Sequence, residues 1–148
     1  MSATREAQVV WEGDLMSGQG RISAGSSGLF GDLPVTWASR TEAPGGKTSP
    51  EELLAAAHAG CFAMALSNGL AKAGHPPTRL TVTARVTFEK GEAGFRVSRS
   101  ALSVQGQVPG MDEAAFRQAA ETAKDGCPVS QALKGNVELA VEAALAAE

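Results

Sequence analysis

Between Ser49 and Gly74 the chain offers one long helix with almost no polar face, and any fold it adopts must find cover for that helix. The start is well signalled. Ser49 is a good N-cap, Pro50 suits the first helical position, and Glu52 stands where a capping box places its carboxylate. From Leu53 to about Lys72 the residues are mostly Ala, Leu, Met and Phe, and apolar side chains fall on nearly every face as far as Leu66. That pattern predicts a buried helix rather than a surface one. Gly74 closes it, with Pro76 and Pro77 beyond. A chain of 148 residues has little material to surround such a helix, which points to a partner subunit.

The segments around this helix read as strands. Ala7–Trp11, Gly18–Ala24 and Leu33–Ala38 are short extended runs, with a turn at Gly25–Gly28 and a loop from Arg40 to Thr48. Arg79 to Glu89 alternates, with Leu80, Val82, Ala84, Val86 and Phe88 on one face, as a half-buried strand does. A turn at Gly91–Gly94 leads to a returning strand, Phe95–Val104. Asp112 caps a second helix from Glu113 to about Lys124, with Gly126 as its stop signal. A short helix from Pro128 through Leu133 and a last strand at Val137–Val141 complete the chain. Strands joined by short turns favour antiparallel sheets, so the expectation is a single α+β domain over residues 1–148.

Composition narrows the function. A net charge of -3 argues against a general nucleic-acid or membrane-surface binder. No uninterrupted apolar run approaches the ~18 residues of a membrane span, and no secretory signal is visible, so a cytoplasmic location is expected. With two cysteines the chain cannot supply a four-cysteine zinc site.

Those two cysteines are where chemistry is expected. Cys61 lies inside the apolar helix, either as a small core residue or as a reactive thiol; Gly60 beside it suggests close approach by another group. Reactivity needs an electropositive neighbour, and Arg40 is the candidate. Capping accounts for Glu52 but leaves Glu51 with only a generic dipole benefit, so Glu51 is available to hold Arg40. Glu51 and Cys61 differ by ten positions, or about 15 Å along a helix axis. If both serve one site, either Arg40 and substrate bridge that gap or Glu51 comes from a second subunit, the arrangement favoured here. Cys127, in Asp125-Gly126-Cys127-Pro128, sits at a break before a helical start, where a thiolate is favoured and the backbone has freedom. His58 is three residues before Cys61; a Cys-His pair is conceivable, and a hydrogen-bonded core histidine is the expectation. His75 reads as a loop residue.

Several stretches together resemble the OsmC/Ohr family, and its OsmC branch in particular. They are Trp11-Glu-Gly-Asp, Ser39-Arg40, the helix from Ser49 through Ala-His-Ala-Gly-Cys61-Phe-Ala-Met-Ala-Leu, Val108-Pro-Gly, and Gly126-Cys-Pro-Val-Ser. The resemblance implies an intertwined homodimer with antiparallel sheets around central helices and active sites at the subunit interface. It also implies a reduction of organic hydroperoxides with Cys61 as peroxidatic cysteine, Cys127 as resolving cysteine, Arg40 as thiolate stabiliser and Glu51 as its partner. The reductant implied is a dithiol of the dihydrolipoyl kind, as on a lipoylated protein, and no metal, flavin or haem is implied. Three other readings remain: a thiol redox sensor or binding module without turnover, a Cys61–His58 hydrolase, and an interaction protein with inert cysteines.

Overall fold

The computed structural model describes residues 1–147. It divides into two units, Met1–Leu53 and Leu54–Glu148.

In the first unit, β1 (Ala7–Glu12), β2 (Gln19–Ala24) and β3 (Leu33–Val35) form an antiparallel sheet in that order. The expected strand Leu33–Ala38 stops early. Thr36 instead caps a short helix α1 (Trp37–Thr41), exchanging hydrogen bonds with Ser39 in a capping box. Arg40 therefore lies on the last turn of a helix and not in a loop. β1 is exposed along its whole length, with Val9 and Val10 each more than half exposed.

Helix α2 (Pro50–Lys72) begins where the sequence places it. Ser49 Oγ accepts from the Glu52 backbone N–H at 3.2 Å, but the reciprocal half of the capping box is absent, because the Glu52 carboxylate accepts from Thr48 Oγ1 at 2.8 Å. Gly74 ends the helix with φ +86°, and the His75 N–H reaches back to the Leu70 carbonyl at 2.9 Å. Within one chain the helix buries one stripe. His58, Phe62, Leu66 and Leu70 are buried at four-residue spacing, while Ala56, Ala57, Gly60 and Met64 face outward. Among the described residues this outer face is apolar and exposed. Helix α2 is also long and apolar enough to cross a membrane, with mean hydropathy 1.4. Its many Ala residues raise that average although no long run of large apolar residues exists.

The second unit is built on the hairpin of β4 (Arg79–Gly91) and β5 (Gly94–Gln107). Leu80, Val82, Ala84, Val86 and Phe88 are the half-buried positions of β4 and alternate with exposed ones, as the sequence pattern requires. From β5, Ser100, Leu102, Val104 and Gly106 point inward. α3 (Glu113–Gly126) and α4 (Pro128–Leu133) then carry the chain across to β6 (Glu138–Leu145). That crossover makes β6 parallel to β5, so the sheet is mixed and not wholly antiparallel. Gly126 is the last residue of α3 and has no positive φ, so its expected role as a left-handed stop is not what ends the helix. Phe62, Leu66 and Leu70 pack with Leu102, Val104, Phe116, Ala120 and Cys127 in one core.

Candidate active site

The Gly126-Cys127-Pro128 break positions one thiol with some care. Cys127 adopts extended backbone angles between two helices, so it ends α3 and caps α4 together. Its N–H bonds to the Ala123 carbonyl at 2.9 Å, and its Sγ accepts from the Ser130 N–H at 3.4 Å. Pro128 takes the first helical position, where a missing N–H costs nothing. The side chain is fully buried.

Cys61, three turns into α2, is only partly buried, and both cysteines are free thiols. Cys61 packs against the core that contains Cys127, and Cys127 and Val129 are the neighbours that act on its thiol. Burial pushes the Cys61 thiol above its ordinary pKa, Val129 works against that, and neighbouring Cys127 raises it further. These surroundings oppose the thiolate that peroxidase chemistry needs. Gly60 does not mark a close approach within the chain: a Cβ there would meet open space.

His58 is wholly buried in the stripe occupied by Phe62, Leu66 and Leu70. Burial lowers its pKa, so the imidazole is held neutral. Its Nδ1 lies 2.6 Å from Ser100 Oγ and its Nε2 2.8 Å from Ser130 Oγ. Ser130 in turn accepts from the Cys127 thiol at 3.1 Å. The imidazole is thus connected to Cys127 and engaged at both nitrogens, an arrangement unlike that of a Cys61–His58 hydrolase. Sequence reasoning missed both serines. Ser130 had a visible signal, standing three residues after a capping Cys127; Ser100 had a fainter one, a polar residue in register with Leu102 and Val104.

Within the first unit, Arg40 and Glu51 form a close pair. Arg40 Nη2 donates to Glu51 Oε1 at 2.8 Å, and Nε lies 3.1 and 3.2 Å from the two carboxylate oxygens. Glu51 is buried and the Arg40 side chain is 29% exposed. Two contacts of this kind fix a guanidinium plane as well as its position. The four candidate residues therefore fall into two pairs, Cys61 with Cys127 and Arg40 with Glu51. Among the described residues no group of three or more His, Cys, Asp or Glu is arranged to hold a metal.

Residues 43–142 match the sequence model of the OsmC-like proteins. The chain belongs to the OsmC-like family. It is 43% identical to the peroxiredoxin OsmC of Escherichia coli over 94% of this chain and 96% of that protein. It is 29% identical to the organic hydroperoxide resistance protein OhrA of Bacillus subtilis over 85% of this chain and 88% of that protein. Among solved structures, the organic hydroperoxide resistance protein OhrB of Bacillus subtilis superposes with a TM-score of 0.74 at 26% identity, covering 94% of this chain and 98% of that one. The greater identity to the OsmC protein agrees with the OsmC branch, and the α+β architecture is that of OsmC and Ohr proteins.

Proposed function

We propose that this OsmC-like protein is a thiol peroxidase that reduces organic hydroperoxides, with Cys61 as nucleophile and Cys127 as resolving cysteine. The observation that carries the reading is a pair of free thiols in one packed core, one half-buried and one buried where α3 gives way to α4. The names of the OsmC and Ohr relatives support a peroxiredoxin-type role in resistance to organic hydroperoxides.

The Cys61 thiolate attacks the distal oxygen of the hydroperoxide. The O–O bond breaks, an alcohol leaves with one proton, and Cys61 becomes a sulfenic acid. Cys127 then displaces the hydroxyl, which departs as water, and the Cys61–Cys127 disulfide forms. A dithiol of the dihydrolipoyl kind reduces it by two exchanges and is itself oxidised to a cyclic disulfide. Arg40, held by Glu51, stabilises the thiolate and the peroxide oxygens, while Glu51 accepts a hydrogen bond from the hydroperoxide.

The functional unit in this reading is a homodimer, with Arg40 and Glu51 acting on Cys61 of a second copy of the chain. Support comes from the outward apolar face of α2 and the exposed Val9, Val10 and Trp11 of β1, surfaces that a second copy would cover. A thiol sensor that forms the same disulfide without turnover is the alternative.

One equivalent of tert-butyl hydroperoxide, followed by mass spectrometry, should yield a Cys61–Cys127 linkage, and dihydrolipoamide should sustain steady peroxide consumption. Disulfide formation without turnover would favour the sensor. Persistent free thiols would overturn both.

A further inference from the structure

The second unit contains a buried polar chain, Ser100–His58–Ser130–Cys127, whose hydrogen bonds run in one direction. The Cys127 thiol donates to Ser130 Oγ at 3.1 Å. Ser130 must then send its own proton elsewhere, and its other partner is His58 Nε2 at 2.8 Å. We assign Nε2 as the bare nitrogen of a neutral imidazole, the tautomer in which Ser130 donates to it and Nδ1–H donates to Ser100 Oγ, 2.6 Å away. All four side chains are at most 1% exposed. Packing alone does not require this arrangement. His58 occupies a stripe otherwise filled by Phe62, Leu66 and Leu70, where an apolar residue would need no partners. The chain also ends on one of the two sulfurs and not on the backbone.

We propose that His58 is a positioning residue that accepts, through Ser130, the proton Cys127 gives up as the disulfide forms, and returns it when the disulfide is reduced. This rests on the two-cysteine reading above. In the forward step the Cys127 sulfur bonds to the Cys61 sulfur and is oxidised, while the Cys61 S–O bond breaks and that sulfur is reduced. The Cys127 proton passes to Ser130 as the Ser130 proton passes to Nε2. The departing hydroxide takes a proton from solvent and leaves as water, so the Cys127 proton stays on His58 until reduction, when the attacking external thiol gives its own proton back to solvent. In the reverse direction an external thiol attacks Cys61, because Cys127 is 0% exposed. Cys127 leaves as a thiolate and recovers its proton along the same chain.

The test is a rapid-quench experiment on the full chain with one equivalent of tert-butyl hydroperoxide, comparing wild type, His58→Asn and Ser130→Ala. Dimedone trapping reads the Cys61 sulfenic acid, and non-reducing mass spectrometry reads the disulfide. Sulfenic acid should appear at near wild-type rate in both variants, while disulfide formation slows about 100-fold or more, the low end of the range for loss of a general base. The double variant should be no slower than the slower single one, since both changes cut one path.

The pH profile adds a readout that a packing role would not move. The ionisable groups near His58 are Cys127, through Ser130, and Cys61, one turn along its own helix; Ser100 and Ser130 face it from β5 and α4. Wild-type disulfide formation should be flat near neutrality and fall in acid as the imidazole protonates. The variants should instead climb steadily with pH as hydroxide replaces the relay. Disulfide formation at wild-type rate in Ser130→Ala overturns the proposal even if His58→Asn fails to fold. Parallel slowing of both chemical steps, or a pH profile unchanged in shape, also overturns it. A wild type that forms no Cys61–Cys127 bond overturns the two-cysteine reading and the relay together.

Discussion

Consider lowering the pH from about 7.5 to about 5 during equilibrium unfolding. An unfolded chain carries its histidines near the ordinary imidazole pKa of ~6.5. Burial lowers the pKa of folded His58 below that value, since a charged imidazole loses its water there. The unfolded state therefore binds the proton more readily, and stability falls as pH drops below ~6.5. The loss continues until the folded imidazole also titrates. If His58 stayed neutral throughout, the loss would be ~1.4 kcal/mol per pH unit, or about 2 kcal/mol at pH 5. That is a ceiling, because Ser100 and Ser130 hydroxyls can turn to accept from an imidazolium. It is still a sizeable share of a stability of ~5–15 kcal/mol. Other shifted groups act elsewhere. Asp14, lowered by hydrogen bonds from Ser17, loses its contribution only below the ordinary aspartate range. Lys124, raised by Glu121, loses its contribution in strong alkali. Urea unfolding of wild type and His58→Gln at both pH values, at one fixed chain concentration, isolates the term. Wild type should lose up to about 2 kcal/mol more than the variant. An equal loss in the two proteins would refute the assignment of acid sensitivity to His58.

Gly106→Ala should destabilise by about 1–3 kcal/mol in the same assay, since its new methyl would lie 2.5 and 2.7 Å from atoms of the buried Phe116 ring, which has nowhere flexible to retreat. A change under about 0.5 kcal/mol would show that the core yields. Glu51→Gln keeps the shape of the Arg40 partner but removes its charge; kcat/KM for an organic hydroperoxide should fall at least about tenfold with a stability loss of about 1–2 kcal/mol, discounted for the partial exposure of Arg40. Unchanged turnover would remove Glu51 from the chemistry.

Features carried by local geometry were legible in the sequence. The Ser49-Pro50 start, Gly74, the alternation from Leu80 to Phe88 and the Asp112 cap each act through their own few residues, and each appears where it was read. One local signal was overlooked, and features decided by distant partners were not legible. Trp37 and Ala38 read as strand, yet Thr36 and Ser39 close a capping box that turns them into helix α1. Residues 137–141 read as a strand, but its direction depends on two intervening helices that bring it beside β5 in parallel. His58 could be read as a core histidine; that its partners are Ser100 and Ser130, 42 and 72 residues away, could not. For the candidate site, Cys61, Cys127, Arg40 and Glu51 were each visible as residue types in suggestive settings. The sign of the Cys61 pKa was not, because desolvation belongs to the packed core and leaves no mark in a local motif.

That sign bears directly on how the chemistry works. In its own unit Cys61 is held toward the neutral thiol by burial and by Cys127, and one backbone N–H from Val129 opposes them. A single cation about 4 Å away, at an effective dielectric constant of ~20, is worth about 4 kcal/mol, or roughly three pKa units. One guanidinium at that range works against both burial and Cys127, provided its own charge is not spent. Glu51 at 2.8 Å from Arg40 offsets part of that charge while fixing the plane. The pair is better suited to a directed hydrogen bond at short range than to a field felt at long range. A peroxidase built this way depends on close, oriented contact between the Arg40–Glu51 pair and Cys61. In the proposed dimer that contact would come from a second copy, joined through exposed apolar residues such as Val9, Val10 and Met64.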